Sequence, residues 1–313
     1  VEKKLGLDGK EQIEAYGMEP FIKECKESVW KYKGMWEDFS STVGFWADME
    51  HPYVTYDDNY IESEWWALKE IWNKGLLYKG FKIVPYCPRC GTPLSAQEVS
   101  QGYKTVKERS AIVRFKVKGE DAYILAWTTT PWTLPSNVAL CVNPDENYVK
   151  VKNGDYTYYL AEALCDTVLE GEYTVLETYK GKELEYKEYE PLFDYAVDIC
   201  AKQKKKAFYV VCDGYVTLTD GTGVVHTAPA FGEDDSKVGR KYDLPFVQLV
   251  DAKGEMTAET PWAGIFVKKA DPLVLQALEE KGLLFAAPNF EHSYPHCWRC
   301  DTPLIYYARE SWF

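Results

Sequence analysis

The sequence predicts an α+β protein: flanking helices, a β-barrel-like middle and a base clamped by cysteines. Three observations predict it. Apolar residues recur at helical spacing before residue 80, they alternate with period two from residue 111 onward, and two look-alike cysteine motifs stand near the chain ends. The motifs are Tyr86-Cys87-Pro88-Arg89-Cys90-Gly91-Thr92-Pro93-Leu94 and His296-Cys297-Trp298-Arg299-Cys300-Asp301-Thr302-Pro303-Leu304, each C-x-x-C followed by x-Thr-Pro-Leu. Two such thiolate pairs supply the four sulfur ligands of a tetrahedral structural zinc, so Cys87, Cys90, Cys297 and Cys300 are expected to hold one closed Zn2+ site, a zinc-ribbon base. The alternative is a pair of disulfides or free thiols. A CxxC disulfide is strained and reactive, and the amino terminus, Val1-Glu2-Lys3-Lys4-Leu5-Gly6, carries no apolar signal region, so export is not expected. Cys25, Cys141, Cys165, Cys200 and Cys212 lie among apolar neighbours and are expected to be buried core thiols.

Taken in order, residues 1–84 are expected to form a helical flank. Between Asp58 and Gly75 the residues Ile61, Trp65, Leu68 and Trp72 recur at helical spacing, with Gly75 placed to stop the helix; Ile22, Cys25, Val29 and Trp36 trace a looser stripe. Both stripes are expected to face a core. Residues 85–110 and 291–313 form the zinc-knuckle base, and 111–290 a β-rich domain. There Val113, Phe115 and Val117 alternate with Arg114 and Lys116, and Asp121 to Trp127 reads as a second strand. Tyr148 to Lys152 and Tyr156 to Leu160 flank Asn153-Gly154-Asp155, a hairpin signal because Asn-Gly tolerates positive backbone angles. Many short strands with turn signals predict a closed or nearly closed barrel. A late helix is expected to begin at Asp271-Pro272, a cap followed by proline, and to end at Gly282.

Composition excludes several classes. A length of 313 residues allows two or three domains, and no apolar run approaches the roughly 20 residues of a spanning helix, so no membrane is expected. A net charge of -13 argues against a surface coated in cations for indiscriminate nucleic-acid binding. Local basic runs remain: Lys202, Lys204, Lys205 and Lys206, and Lys104, Lys107 and Arg109 diluted by Glu108. Such runs are usually solvated faces.

Two segments look too unusual for scaffold. In Trp127-Thr128-Thr129-Thr130-Pro131-Trp132-Thr133-Leu134-Pro135-Ser136-Asn137 two prolines break a strand and leave a loop dense in hydroxyls, suited to a polar ligand; threonines capping local turns are the plainer alternative. In Gly221-Thr222-Gly223-Val224-Val225-His226-Thr227-Ala228-Pro229-Ala230-Phe231-Gly232-Glu233-Asp234-Asp235 a strand delivers His226 and an acidic cluster follows. A carboxylate there can hold an ammonium group, or the cluster can simply start a helix.

These two segments resemble the editing-site peptides of the isoleucyl-tRNA synthetases. WTTTPWTLPSN is similar to their threonine-rich peptide and GTGVVHTAPAFGEDD to its second wall. In the related valyl and leucyl enzymes the first peptide continues Thr-Thr-Arg-Pro, whereas Thr130-Pro131-Trp132 stands here. The resemblance covers essentially the whole chain, from Val1 to the terminal Tyr307-Ala308-Arg309-Glu310-Ser311-Trp312-Phe313, and implies the large connective insertion of such an enzyme, with a barrel of the valyl/leucyl/isoleucyl editing type. Neither HIGH nor KMSKS occurs, so no ATP site and no amino-acid activation are expected in this chain. Phe231 with Gly232-Glu233-Asp234-Asp235 resembles the eukaryote-like branch, where many bacterial members carry Gly-His in place of Ala230-Phe231.

The resemblance implies a function. A pocket shaped for isoleucine gains only about 1–3 kcal/mol over valine from one methylene, a magnitude for which the isoleucyl enzymes are themselves the standard example, so a second, hydrolytic sieve is needed. By resemblance Asp235 anchors the α-ammonium of misattached valine, and Thr128, Thr129 and Thr130 hold the terminal adenosine and the ester. His226 limits side-chain size, Trp127, Thr133 and Phe231 line the substrate site, and Asn137 orients the ligand or braces the loop. The implied partners are the 3′ end of isoleucine-accepting tRNA, the valyl moiety and the rest of the parent synthetase, in a cytoplasmic setting. The residues themselves leave another class open, a zinc-ribbon tRNA-binding module without hydrolytic activity that would use Lys104, Lys107 and Arg109. A metallohydrolase would need an open metal site, which paired CxxC motifs do not predict.

Overall fold

Strand pairing organises most of this chain, whose computed structural model describes all residues from Val1 to Phe313. Two units result, Val1–Phe81 with Glu310–Phe313, and Lys82–Arg309. The first contains α1 (Glu2–Leu5), α2 (Lys10–Tyr16), α3 (Met18–Thr42) and α4 (Asp58–Asn73), with Gly75 beyond α4 in the left-handed conformation that ends a helix. None of these helices buries a residue. The stripes expected to face a core are therefore corrected. Trp65 and Trp72 are 67% and 56% exposed, and Trp36 and Val29 are 67% and 52% exposed. Helical periodicity shows that a face is apolar and is silent on whether anything covers it. Cys25, on the same stripe, is likewise only half-buried. Residues 310–313 also fall with this unit and not with the cysteine base: Phe313 N–H donates to Tyr78 O (2.9 Å) and their rings stack at 5.8 Å.

β1 (Lys79–Cys87, of which residues 82–87 belong to the second unit), β2 (Thr92–Pro93), α5 (Ala96–Ser100) and β3 (Tyr103–Arg109) form the base together with two later strands. Next come β4 (Ala111–Lys116) and β5 (Tyr123–Thr128), antiparallel from Ala111↔Thr128 to Lys116↔Tyr123. A 3-10 helix, Pro131–Ser136, leads to β6 (Ala139–Val142); β7 (Asn147–Asn153) and β8 (Tyr156–Ala161) then make the expected hairpin, with Asn153 opposite Tyr156 and Gly154 at φ +57°. α6 (Cys165–Val168), β9 (Tyr173–Lys180), α7 (Val197–Gln203), β10 (Tyr209–Cys212), β11 (Val224–Thr227) and α8 (Glu233–Lys241) follow. The chain ends with α9 (Val267–Glu280), β12 (Leu284–Ala286), β13 (Asn289–Pro295) and β14 (Ile305–Trp312).

The barrel closes. β4 pairs with β5, β5 with β11 in parallel, β11 with β6 antiparallel, and β6 with β10 in parallel. Residues 186–190 complete the ring: Tyr189 N–H donates to Phe208 O (3.0 Å) on one side, and Glu190 N–H donates to Lys116 O (2.8 Å) on the other. β8, parallel to the start of β5, carries β7 and β9 outward as a wing. The central strands are apolar throughout because both faces are covered. On β6, Leu140 and Val142 join the main core, while Ala139 and Cys141 join a second core beneath Val238 and Leu244.

The late helix differs from expectation. α9 starts at Val267, four residues before Asp271, and holds Pro272 inside. Asp271 is thereby free to accept from Trp132 N–H (2.9 Å) and caps the 3-10 helix instead of its own. No helix is long and apolar enough to cross a membrane.

The base depends on one close approach. His296 N–H donates to Gly102 O (2.8 Å), and a Cβ on Gly102 would lie 1.8 Å from His296 O. Gly102→Ala is expected to cost about 1–3 kcal/mol, read as a lowered urea midpoint. An unchanged midpoint would mean that the two segments separate freely.

Candidate functional site

The parallel pairing of Val225 with Trp127 sets the two unusual segments side by side. β5 delivers Trp127 and Thr128; the chain then turns, with Thr130 N–H donating to Thr128 Oγ1 (3.1 Å), and Pro131 opens the 3-10 helix, where the missing N–H costs nothing. β11 delivers His226, 6% exposed. The loop after it ends at Gly232, where α8 begins, and Asp235 turns back from the first turn. That return needs glycine, because a Cβ on Gly232 would stand 2.9 Å from the Asp235 carboxyl carbon.

A cavity of about 230 Å³ opens between these elements, lined by Trp127, Thr128, Thr129, Thr130, Thr133, Val225, His226, Ala228, Phe231 and Asp235. Of the residues expected at the site, only Asn137 is missing from its wall. It lies behind His226, fully buried, with Nδ2 donating to Ala139 O (2.8 Å) and Oδ1 accepting from Tyr189 O–H (2.6 Å). Its bracing role thus has a structural basis and its ligand contact does not.

The hydrogen bonds around His226 are satisfied by one tautomer, assigned from the network. Thr133 O–H donates to Thr130 O (2.8 Å), so Thr133 Oγ1 accepts from His226 Nε2–H at 2.7 Å. Nδ1 is then the bare nitrogen and faces Asn137 Nδ2 at 3.5 Å. Burial lowers the imidazole to about 4, and both nitrogens are engaged. The ring is a neutral wall and a poor proton acceptor.

The acidic cluster divides. Glu233 and Asp234 are exposed and pair with Lys237 (3.2 and 3.1 Å), an ordinary acidic helix start. Asp235 points into the cavity. Its Oδ2 accepts from Ala228 N–H (2.8 Å) and Oδ1 from Tyr215 O–H (3.4 Å), yet burial still pushes the carboxyl up to about 7. Such a carboxyl awaits a cation. Tyr189, Tyr215 and Asp271 were not among the expected site residues; nothing marked either tyrosine among 24, and Asp271 read as a cap of its own helix.

At the base, all four sulfurs of Cys87, Cys90, Cys297 and Cys300 lie within 4.8 Å of one another, with separations of 3.5 Å for Cys87–Cys300 and Cys90–Cys300 and 4.0 Å for Cys90–Cys297. A tetrahedral ion with sulfur bonds of about 2.3 Å requires separations near ~3.8 Å, so the four fit a metal. No cysteine is in a disulfide. The two motifs repeat each other in detail: Gly91 N–H donates to Cys87 O and Asp301 N–H to Cys297 O, with Gly91 and Asp301 both left-handed. Burial raises the Cys87 and Cys90 thiols, whereas at Cys300 burial is outweighed by hydrogen bonds with Thr302, Cys87 and Cys90, which lower it to about 6; a bound cation would favour the thiolate at Cys87 and Cys90 as well.

The family model for class I tRNA synthetases (I, L, M and V) matches residues 1–313. Similar curated proteins include the isoleucine--tRNA ligases of Clostridium novyi (60% identical over 315 residues) and Clostridium acetobutylicum (61% over 315 residues), and that of Bacillus thuringiensis strain Al Hakam (50% over 314 residues). Each match covers 100% of this chain and 30% of the relative, so the chain spans under a third of their length. Among solved structures, the Plasmodium knowlesi cytosolic leucyl-tRNA synthetase editing domain aligns with a TM-score of 0.43 at 15% identity over 60% of this chain and 98% of that one. The Plasmodium falciparum domain aligns with a TM-score of 0.43 at 12% identity over 58% and 99%.

The titrations predict a pH dependence. Asp235 titrates near 7 when folded and near 3.8 when unfolded, so between those values the native chain holds a proton that the unfolded chain has released, and stability falls as pH rises through the window. Asp271, raised to about 7 by burial, acts in the same direction, and His226, lowered to about 4 from 6.5, acts in the opposite one. Asp235→Asn removes one falling contribution. Its melting temperature relative to the parent chain should climb between about pH 4 and 7 and level off above; a difference independent of pH would mean that Asp235 is ionised throughout.

Proposed function

The chain belongs to the class I tRNA synthetases (I, L, M and V), and from that premise we propose that it is the editing part of an isoleucine-tRNA ligase, hydrolysing valine misattached to isoleucine-accepting tRNA. One observation carries the reading: a part-buried carboxyl, four threonines and a neutral histidine converge on one cavity of about 230 Å³.

In this reading Asp235 takes the α-ammonium of the valyl ester, relieving the strain of an anion in a buried place. Thr128 and Thr130 bond to each other (3.3 Å), whereas the Thr129 hydroxyl makes no bond within the chain and is the free one to meet the ester or the ribose. His226 meets the side chain and refuses the extra methylene of isoleucine. A water molecule attacks the ester carbonyl, charge collects on the carbonyl oxygen, and the carbon–oxygen bond to the ribose breaks, with the proton passing to the departing ribose oxygen. Positioning and donor groups suffice for an activated ester, without a covalent nucleophile. In the same reading ATP-dependent ligation of isoleucine is the work of the parent enzyme and not of this chain. Of the cations the binding-only alternative would use, Lys104 pairs with Asp301 and the Arg109 Nε–H donates to Ala287 O (3.3 Å). The setting of the reading is cytoplasmic, with the rest of the parent synthetase as partner.

The test is a deacylation time course with Val-tRNA and Ile-tRNA, both isoleucine-accepting. The chain should cleave the valyl ester selectively, and Asp235→Ala should lose about 10- to 100-fold in kcat/KM, the worth of a charged hydrogen bond, while keeping its circular dichroism. His226→Ala should begin to cleave Ile-tRNA. Wild-type rates in Asp235→Ala, or unchanged discrimination in His226→Ala, would remove those residues from the anchor and the wall.

The cysteine base is assigned Zn2+ in the same reading, as a closed structural site. Elemental analysis should find one zinc per chain, lost in Cys90→Ser together with thermal stability; a stable, metal-free parent chain would rule the ion out.

A further inference from the structure

A second cavity, of about 240 Å³, lies against the first and shares two of its residues, Trp127 and Val225. These two are register partners on β5 and β11, so a single pair of residues forms the septum between the cavities. The second cavity is otherwise walled by Tyr215 and by the loop carrying Thr217, Thr219 and Asp220.

Its chemistry is distinct. No lysine or arginine lines it, so it offers nothing to a phosphate. Asp220 is exposed and makes no hydrogen bond or ion pair, and the Thr217 and Thr219 hydroxyls bond only to each other (3.3 Å). Unused acceptors beside an indole suit a flat, neutral ring that carries an amino group. Trp127 is held for that role: Phe290 meets it edge-on at 5.3 Å, and the Gly221 backbone presses so close that a Cβ there would fall 2.7 Å from the indole. Gly221 also has φ +71°, which a side chain would resist.

We propose that this cavity takes the nucleobase adjoining the terminal adenosine, a base with an exocyclic amino group that donates to Asp220 and stacks on Trp127. The proposal rests on the editing reading, because a ligand that fills the first cavity with its last nucleoside must place the preceding one nearby. The septum makes the two placements neighbours. Tyr215 ties them together, since its ring lines the second cavity while its hydroxyl bonds to Asp235 in the first (3.4 Å).

The experiment compares valyl esters of adenosine, of the dinucleotide cytidylyl-adenosine and of uridylyl-adenosine. The cytidylyl ester should show the highest kcat/KM, exceeding the uridylyl ester by about 2- to 10-fold, the worth of one partly exposed hydrogen bond. Asp220→Ala should abolish that preference and leave hydrolysis of valyl-adenosine unchanged. Equal rates for the two dinucleotides, or an Asp220→Ala effect shared by all three esters, would overturn the proposal. If the parent chain cleaves none of them, the editing reading fails on its own; calorimetric titration with the uncharged dinucleotides then decides, tighter binding of cytidylyl-adenosine that disappears in Asp220→Ala supporting the cavity and equal binding rejecting it.

Discussion

Everything at the cavity depends on β5 and β11 running parallel, side by side, at Trp127 and Val225. Parallel neighbours bring their carboxyl ends to the same edge of a sheet, so the loops that follow both strands open on one side. One loop brings the threonines and the other brings Ala228, Phe231 and Asp235. An antiparallel pairing would send the two loops to opposite ends. The ring then has to close around this pair, which it does through β6, β10 and the short bridge at residues 186–190.

Closure does more than complete hydrogen bonds. It carries Tyr189, wholly buried and edge-on to Phe115 at 5.2 Å, to the place where its hydroxyl reaches Asn137. From there a directed series of bonds runs through Asn137 to His226, Thr133 and Thr130. In the editing reading His226 is a wall that sorts ligands by a single methylene and must not yield, and a satisfied polar network in a low-dielectric interior is a rigid one. Stiffness at His226 is therefore inherited from the barrel seam.

The sequence was most readable where local chemistry decides the outcome. The Asn153-Gly154 hairpin formed as expected, and the two knuckles repeat each other down to the left-handed residue after the second cysteine, glycine in one and aspartate in the other. Thr128, Thr129, Thr130, His226, Phe231 and Asp235 do converge. What escaped were long-range matters. Residues 186–190 close the ring by a few bridges and show no alternation to betray a strand. Asp271 looked like the cap of its own helix and serves another element, while the tryptophan stripes of α3 and α4 are amphipathic without being covered. Ala230-Phe231 resembles the eukaryote-like branch, whereas the relatives named above are bacterial; within the fold, Phe231 packs edge-on against Trp132 at 5.1 Å.

Two opposed shifts give the cavity its character. Burial raises Asp235 to about 7 and lowers His226 to about 4, so near neutrality one wall is a carboxyl poised between its protonated and ionised forms and the other has no charge at all. Two donors, Ala228 N–H and Tyr215 O–H, are too few to reverse the cost of burying the carboxylate. An entering ammonium removes that cost, whereas a neutral group of the same size leaves it in place. In the proposed editing reading the cavity discriminates by charge at one end and by volume at the other, and the two tests are independent because the residues assigned to them share no hydrogen bond.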